Sequence, residues 1–169
     1  MSEAGPLQAA KAELQRKNNN LRTAIQRHDE LLESSSPESQ EVLKAKLGVA
    51  EAKLGVAEAE LGVAKAELGV AEAKEESPQR QSEIAKAEMD VAKAEMGVAK
   101  AEWDVAIAGY DSEAKTSNPE RLEFLQGQIK DRKERYNDSK EAYNDSKITY
   151  KRLEGQLSSP DFCASNRTS

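Results

Sequence analysis

His28-Asp29-Glu30 is the single point in this chain where an imidazole stands beside carboxylates, the arrangement a general base or a metal ligand needs. It has no company. One histidine and one cysteine, Cys163, cannot complete a tetrahedral zinc site, and a carboxylate-bridged di-iron bundle needs more histidines. No glycine-rich loop runs into a lysine to cradle a phosphate, and no EF-hand loop is present. Paired carboxylates recur, but they fall on charged stripes at helical spacing, where solvation accounts for them. His28 is therefore read as an ordinary residue near the end of a helix. The expectation is that the chain carries no catalytic residues, no metal site and no cofactor, and is not an enzyme.

Two sets of hydroxyls offer other chemistry. Tyr136, Tyr143 and Tyr150 recur every seven residues in YNDSKEA-YNDSKIT-Y, with Ser139 and Ser146 three residues after the first two. A wet seam packed on the rest of the protein is the expected role. A partner face is the alternative, because tyrosine supplies contact area and a hydrogen bond together. Ser36, Ser77 and Ser159 each precede proline, a pattern that fits proline-directed phosphorylation but also fits helix capping, which is the reading preferred here.

The capping reading rests on a longer rhythm. Pro37, Pro78, Pro119 and Pro160 are each 41 residues apart, and each follows Ser or Asn and precedes Glu, Gln or Asp. Ser or Asn suits the N-cap, Pro the first helical position, and an acid the positive end of the helix dipole. The spacing predicts helices near 7–33, 37–75, 78–115 and 119–157. Residues 1–6 are expected to be a flexible N-terminus and 159–169 a disordered tail.

A second period, of seven, runs inside these segments. Residues 47–74 read LGVAEAK, LGVAEAE, LGVAKAE, LGVAEAK. Leu47, Leu54, Leu61 and Leu68 take position a of a heptad, and Ala50, Ala57, Ala64 and Ala71 take d. The register continues through Met89, Met96, Trp103 and Tyr110, with Ala85, Ala92, Ala99 and Ala106 at d. Leu7, Leu14, Leu21 and His28 form a further row, as do Leu122, Ile129, Tyr136, Tyr143, Tyr150 and Leu157. The near-identity of the units points to tandem duplication.

Folding the second segment against the third about Glu76–Ser77 pairs residues whose numbers add to 153. Met89 then meets Ala64, Trp103 meets Ala50, and Leu54 meets Ala99. One large residue faces one small residue in nearly every layer, which lets helices approach closely. The same pairing places Glu102 beside Lys53. The eight residues Leu47 to Leu68 and Met89 to Tyr110 are thus expected to form one packing seam. Gly48, Gly55, Gly62 and Gly69 lie on another face. Either a further helix approaches there closely, or duplication copied one tolerated glycine.

Composition bounds what such a chain can be. Leu, Ile, Val and Phe number 29 of 169 residues, a thin supply for a core, while Ala, Lys and Glu favour helix. Residues 37–118 carry 17 acids against 10 bases, and residues 119–158 carry 8 against 9. The acidic middle argues against nucleic acid and could instead attract the fourth segment. No signal peptide or apolar span of membrane length is evident, so an intracellular, cytoplasmic protein is expected.

The expected fold is all-α: about four long antiparallel, heptad-patterned helices in a coiled-coil-like bundle. The expected role is a structural or interaction protein that presents helical faces to itself, as a possible homo-oligomer, or to another coiled-coil partner, without nucleic acid or membrane. Two alternatives stand beside it. One is a disordered protective or linker chain that becomes helical on binding or drying. The other is a peripheral lipid-surface protein of amphipathic helices.

Overall fold

The computed structural model describes residues 4–37, 39–73 and 77–157. They form an all-α bundle of four helices: α1 (Ala4–Ser34), α2 (Gln40–Glu72), α3 (Pro78–Glu113) and α4 (Pro119–Leu157). α1 begins three residues ahead of the expected Leu7. Cys163, the Ser159–Pro160 junction and the 159–169 tail lie outside the described residues. At 1.5 Å per residue the 39-residue α4 is about 58 Å long.

Side chains at the turns explain where the helices start. The Ser77 Oγ accepts a hydrogen bond from the Arg80 N–H at 3.1 Å, with Pro78 opening α3. The Asn118 Oδ1 accepts from the Arg121 N–H at 2.9 Å, with Pro119 opening α4. Both groups satisfy a backbone donor that has no partner within the helix. The first junction differs from expectation. Ser39, not Ser36, caps α2, its hydroxyl accepting from the Val42 N–H. The Ser39 N–H donates to the Ser36 carbonyl at 2.9 Å, so Pro37 sits inside a tight turn instead of in the helix.

The helices pack in chain order. Among the described residues α1 lies against α2, α2 against α3, and α3 against α4, with no further pair in contact. Cross-helix contacts run antiparallel: Lys11 with Glu67, Lys65 with Glu95, and Arg135 with Glu102. Each seam is thus built by two helices, with no third to seal it.

The core reflects this openness. Among the described residues eleven of the thirteen buried apolar ones are alanine, the others being Val42 and Leu125, and no large side chain is fully buried. The alanines at d, Ala50, Ala57, Ala64 and Ala71 of α2 and Ala85, Ala92, Ala99 and Ala106 of α3, are all buried. The large residues at a are half-buried. Alanine admits close backbone approach, and a long side chain at the edge of a two-helix seam keeps one flank in solvent.

Candidate helix-pairing surface

α3 sits between two partners and meets them with different flanks. At about 100° per residue, Ala101, Ala108 and Ser112 share one side of the helix, and all three are buried. The Ser112 carbonyl accepts a hydrogen bond from the Gln40 side chain of α2 at 2.9 Å. Lys46 of α2 reaches Asp111 at 2.7 Å. This flank faces α2.

Trp103 lies about 200° around the helix from Ala101 and faces α4. Its ring stacks on Tyr136, centroids 5.9 Å apart and planes inclined at 26°. The Lys133 ammonium stands 5.7 Å from the centre of the indole. The Tyr110 hydroxyl accepts from the Gln126 side-chain amide at 3.1 Å. Ala99 and Ala106 fall between Trp103 and Glu102 on the same surface.

These contacts correct the sequence-based hairpin. The expected seam divides. Leu47, Leu54, Leu61 and Leu68 lie on the side of α2 from which Gln40, Lys46 and Lys65 reach α3, while Trp103 and Tyr110 address α4. Trp103 does not pair with Ala50. The reason is that α3 carries two small-residue stripes. Ala101 and Ala108 suit close approach by α2 as well as Ala99 and Ala106 do, and that leaves the aromatic side for α4.

Toward the C-terminal end of α3, charge follows the same division. Glu102, expected beside Lys53, instead pairs with Arg135 at 2.9 Å, and its carbonyl accepts from Arg132 at 3.0 Å. Glu113 holds Arg121 through two hydrogen bonds of 2.9 and 3.1 Å across the Ala114–Asn118 turn. The Arg121 guanidinium keeps the Glu113 carboxyl below the ordinary glutamate range. Arg132 and Arg135 could have been found in the sequence by reading α4's bases against α3's acids, but that needs a register, which the sequence does not supply.

The tyrosine row is drawn into the bundle. Tyr136, Tyr143 and Tyr150 are half-buried, as are Ser139 and Ser146. The register set by Trp103 and Tyr136 places Tyr143 opposite Met96 and Tyr150 opposite Met89. The Tyr150 hydroxyl donates to Glu154 at 3.0 Å, and that bond, with burial and the charges of Glu154 and Asp90, raises its pKa. The opposite side of α4 is exposed and polar apart from Ala142, Phe124 and Ile148, the last two being 55% and 67% exposed.

α1 covers the glycine face of α2, but only loosely. A Cβ on Gly55 would meet the Lys17 Cδ at 3.3 Å, whereas Gly48, Gly62 and Gly69 have nothing within 4 Å. Close approach therefore accounts for one glycine of the four. Beside them lies an open groove floored by Ala24, Ala45 and Gly48, with Arg27 and Lys44 at its rim. His28 is half-buried on the α2-facing side of α1, its Nδ1 3.4 Å from Asp29. Among the described residues no three His, Cys, Asp or Glu side chains gather where they could hold a metal ion, and no helix is long and apolar enough to cross a membrane.

Fold and surface together define a class: the described residues make an all-α protein of four antiparallel helices in serial order, whose two central helices bury mostly alanine. Comparison with protein families, curated proteins and solved structures returns no match.

Proposed function

We propose that this chain is a non-enzymatic structural or interaction module that presents coiled-coil-like helical faces to a second copy or to another helical protein. The observation that carries the reading is the state of the seam residues. Every large residue of the two central helices' a rows, from Leu47 to Leu68 and from Met89 to Tyr110, is only half-buried. Each retains apolar surface that a further helix could cover, at about 25 cal/mol per Å². An alanine core leaves the isolated chain near the margin of stability, so association would add a large share of the total.

Sedimentation equilibrium run beside circular dichroism over a range of concentrations tests this. The expected result is self-association, or a melting temperature that rises with concentration. A monomer whose melt is independent of concentration, and which captures no helical partner, would overturn it. The lack of any fully buried large side chain among the described residues also favours the rival reading of a chain that becomes helical on binding. Low helicity in dilute buffer, with no cooperative melt, would select that rival.

A further inference from the structure

The α4 side of its seam with α3 changes character along its length. In chain order the half-buried or buried residues at its heptad positions are Leu122, Leu125, Ile129, Arg132 and Tyr136, then Ser139, Tyr143, Ser146 and Tyr150, and finally Leu153 and Leu157. Leu125 is the one buried residue of the helix. The cross-helix bonds at Glu113–Arg121, Tyr110–Gln126 and Glu102–Arg132, the Glu102–Arg135 ion pair and the Trp103–Tyr136 stack all fall within the first half.

The polar stretch that follows turns inward on its own helix. The Ser139 hydroxyl donates to the Arg135 carbonyl at 2.9 Å and the Ser146 hydroxyl to the Ala142 carbonyl at 3.0 Å. Lys147 stands over the Tyr143 ring at 5.8 Å, and Tyr150 binds Glu154. Serine bonded back to the preceding turn adds nothing across the seam and slightly weakens its own helix. The remaining apolar anchors of this half, Leu153 and Leu157, are half-buried in its last two turns.

We infer that α4 is two cooperative units: an anchor, residues 119–136, fixed to α3, and a releasable strap, residues 137–157, that opens by local unfolding and uncovers the Met89–Met96 side of α3. The strap occupies that face in the closed state. Its opening draws on the half of the seam in which Ser139 and Ser146 take seam positions and bond back to their own helix, while Leu125, the buried residue of α4, lies in the other half. This device goes beyond the proposed interaction role and does not depend on it, since it concerns how one face of α3 is exposed.

Native-state hydrogen exchange on the full chain, read by mass spectrometry, tests the division. Amides of 137–157 should exchange at least about tenfold faster than those of 119–136. Uniform protection along α4 would overturn the proposal. In the double variant Ser139→Leu, Ser146→Leu the difference should shrink several-fold, because both positions then fill the seam. A difference that persists in that variant, folded by circular dichroism, would remove seam polarity as its cause and overturn the account. Tyr143→Leu gives the same reading with one change should the double variant not fold.

Discussion

Trp103 of α3 and Tyr136 of α4 stack with their ring centres 5.9 Å apart, and this contact sets the register of the α3–α4 seam. From it, Met96 falls opposite Tyr143 and Met89 opposite Tyr150. The same contact turns the aromatic side of α3 away from α2, which takes the Ala101 and Ala108 flank.

Replacing Trp103 by alanine should destabilise the protein by about 2 kcal/mol, below the range for a fully buried tryptophan because the ring is only half-buried. A double-mutant cycle with Tyr136→Ala should give a coupling of about 0.5–1.5 kcal/mol in urea unfolding. Strict additivity would show that the two rings do not support each other.

The glycines of α2 should respond unequally to alanine. Gly62→Ala meets open space and removes a poor helix former, so a gain of about 0.8–1 kcal/mol is expected. The gain at Gly55→Ala should be smaller, because the Lys17 side chain must move from a position 3.3 Å away. Thermal melts would resolve the pair, at about 2–4 °C per kcal/mol. Equal gains would mean that α1 does not crowd Gly55.

The alanine seam should resist enlargement. Ala99 is 5% exposed on the α4-facing side of α3. Ala99→Leu should cost about 1–3 kcal/mol through overpacking, measured by chemical denaturation. A stabilised variant would show the seam to be loose there.

The Glu113–Arg121 clamp should be sensitive to acid. Arg121 lowers the Glu113 pKa in the folded protein, so the clamp's contribution is present above the unfolded value, about 4.3, and is lost as pH falls through the folded value. Glu113→Gln should therefore lower the melting temperature at neutral pH, and the difference should shrink as pH falls below the unfolded value. A difference that stays constant with pH would rule out an ionised clamp.

Removing the cap at α3, Ser77→Ala, should cost about 1 kcal/mol, because the Arg80 N–H then loses its acceptor. Ser39→Ala should act the same way on α2 through the Val42 N–H. Thermal melts of the two variants would check both caps, and an unchanged melting temperature would mean that water replaces the serine.

Much of this architecture was legible in the residues themselves. Alanine, lysine and glutamate make helix by local propensity, and Ser77-Pro78 and Asn118-Pro119 state where two helices begin. The seven-residue recurrence marked eight alanines of the two central helices, all of them buried, but it did not mark Ala59, Ala101 or Ala108, which are buried as well. The excess of acid in the middle of the chain foretold its pairing with bases of α4, realised at Glu102–Arg135 and Glu113–Arg121.

What the sequence alone determined was the set of faces. What the tertiary structure decided was which face meets which helix. A heptad row defines a stripe but carries no name for its partner, and in α3 the Ala101–Ala108 stripe admits a neighbour as closely as the Ala99–Ala106 stripe does. The choice is made when three helices must be satisfied at once. α4 supplies tyrosine for Trp103 and arginine for Glu102, and α2, whose leucines need only small residues opposite them, takes the other side.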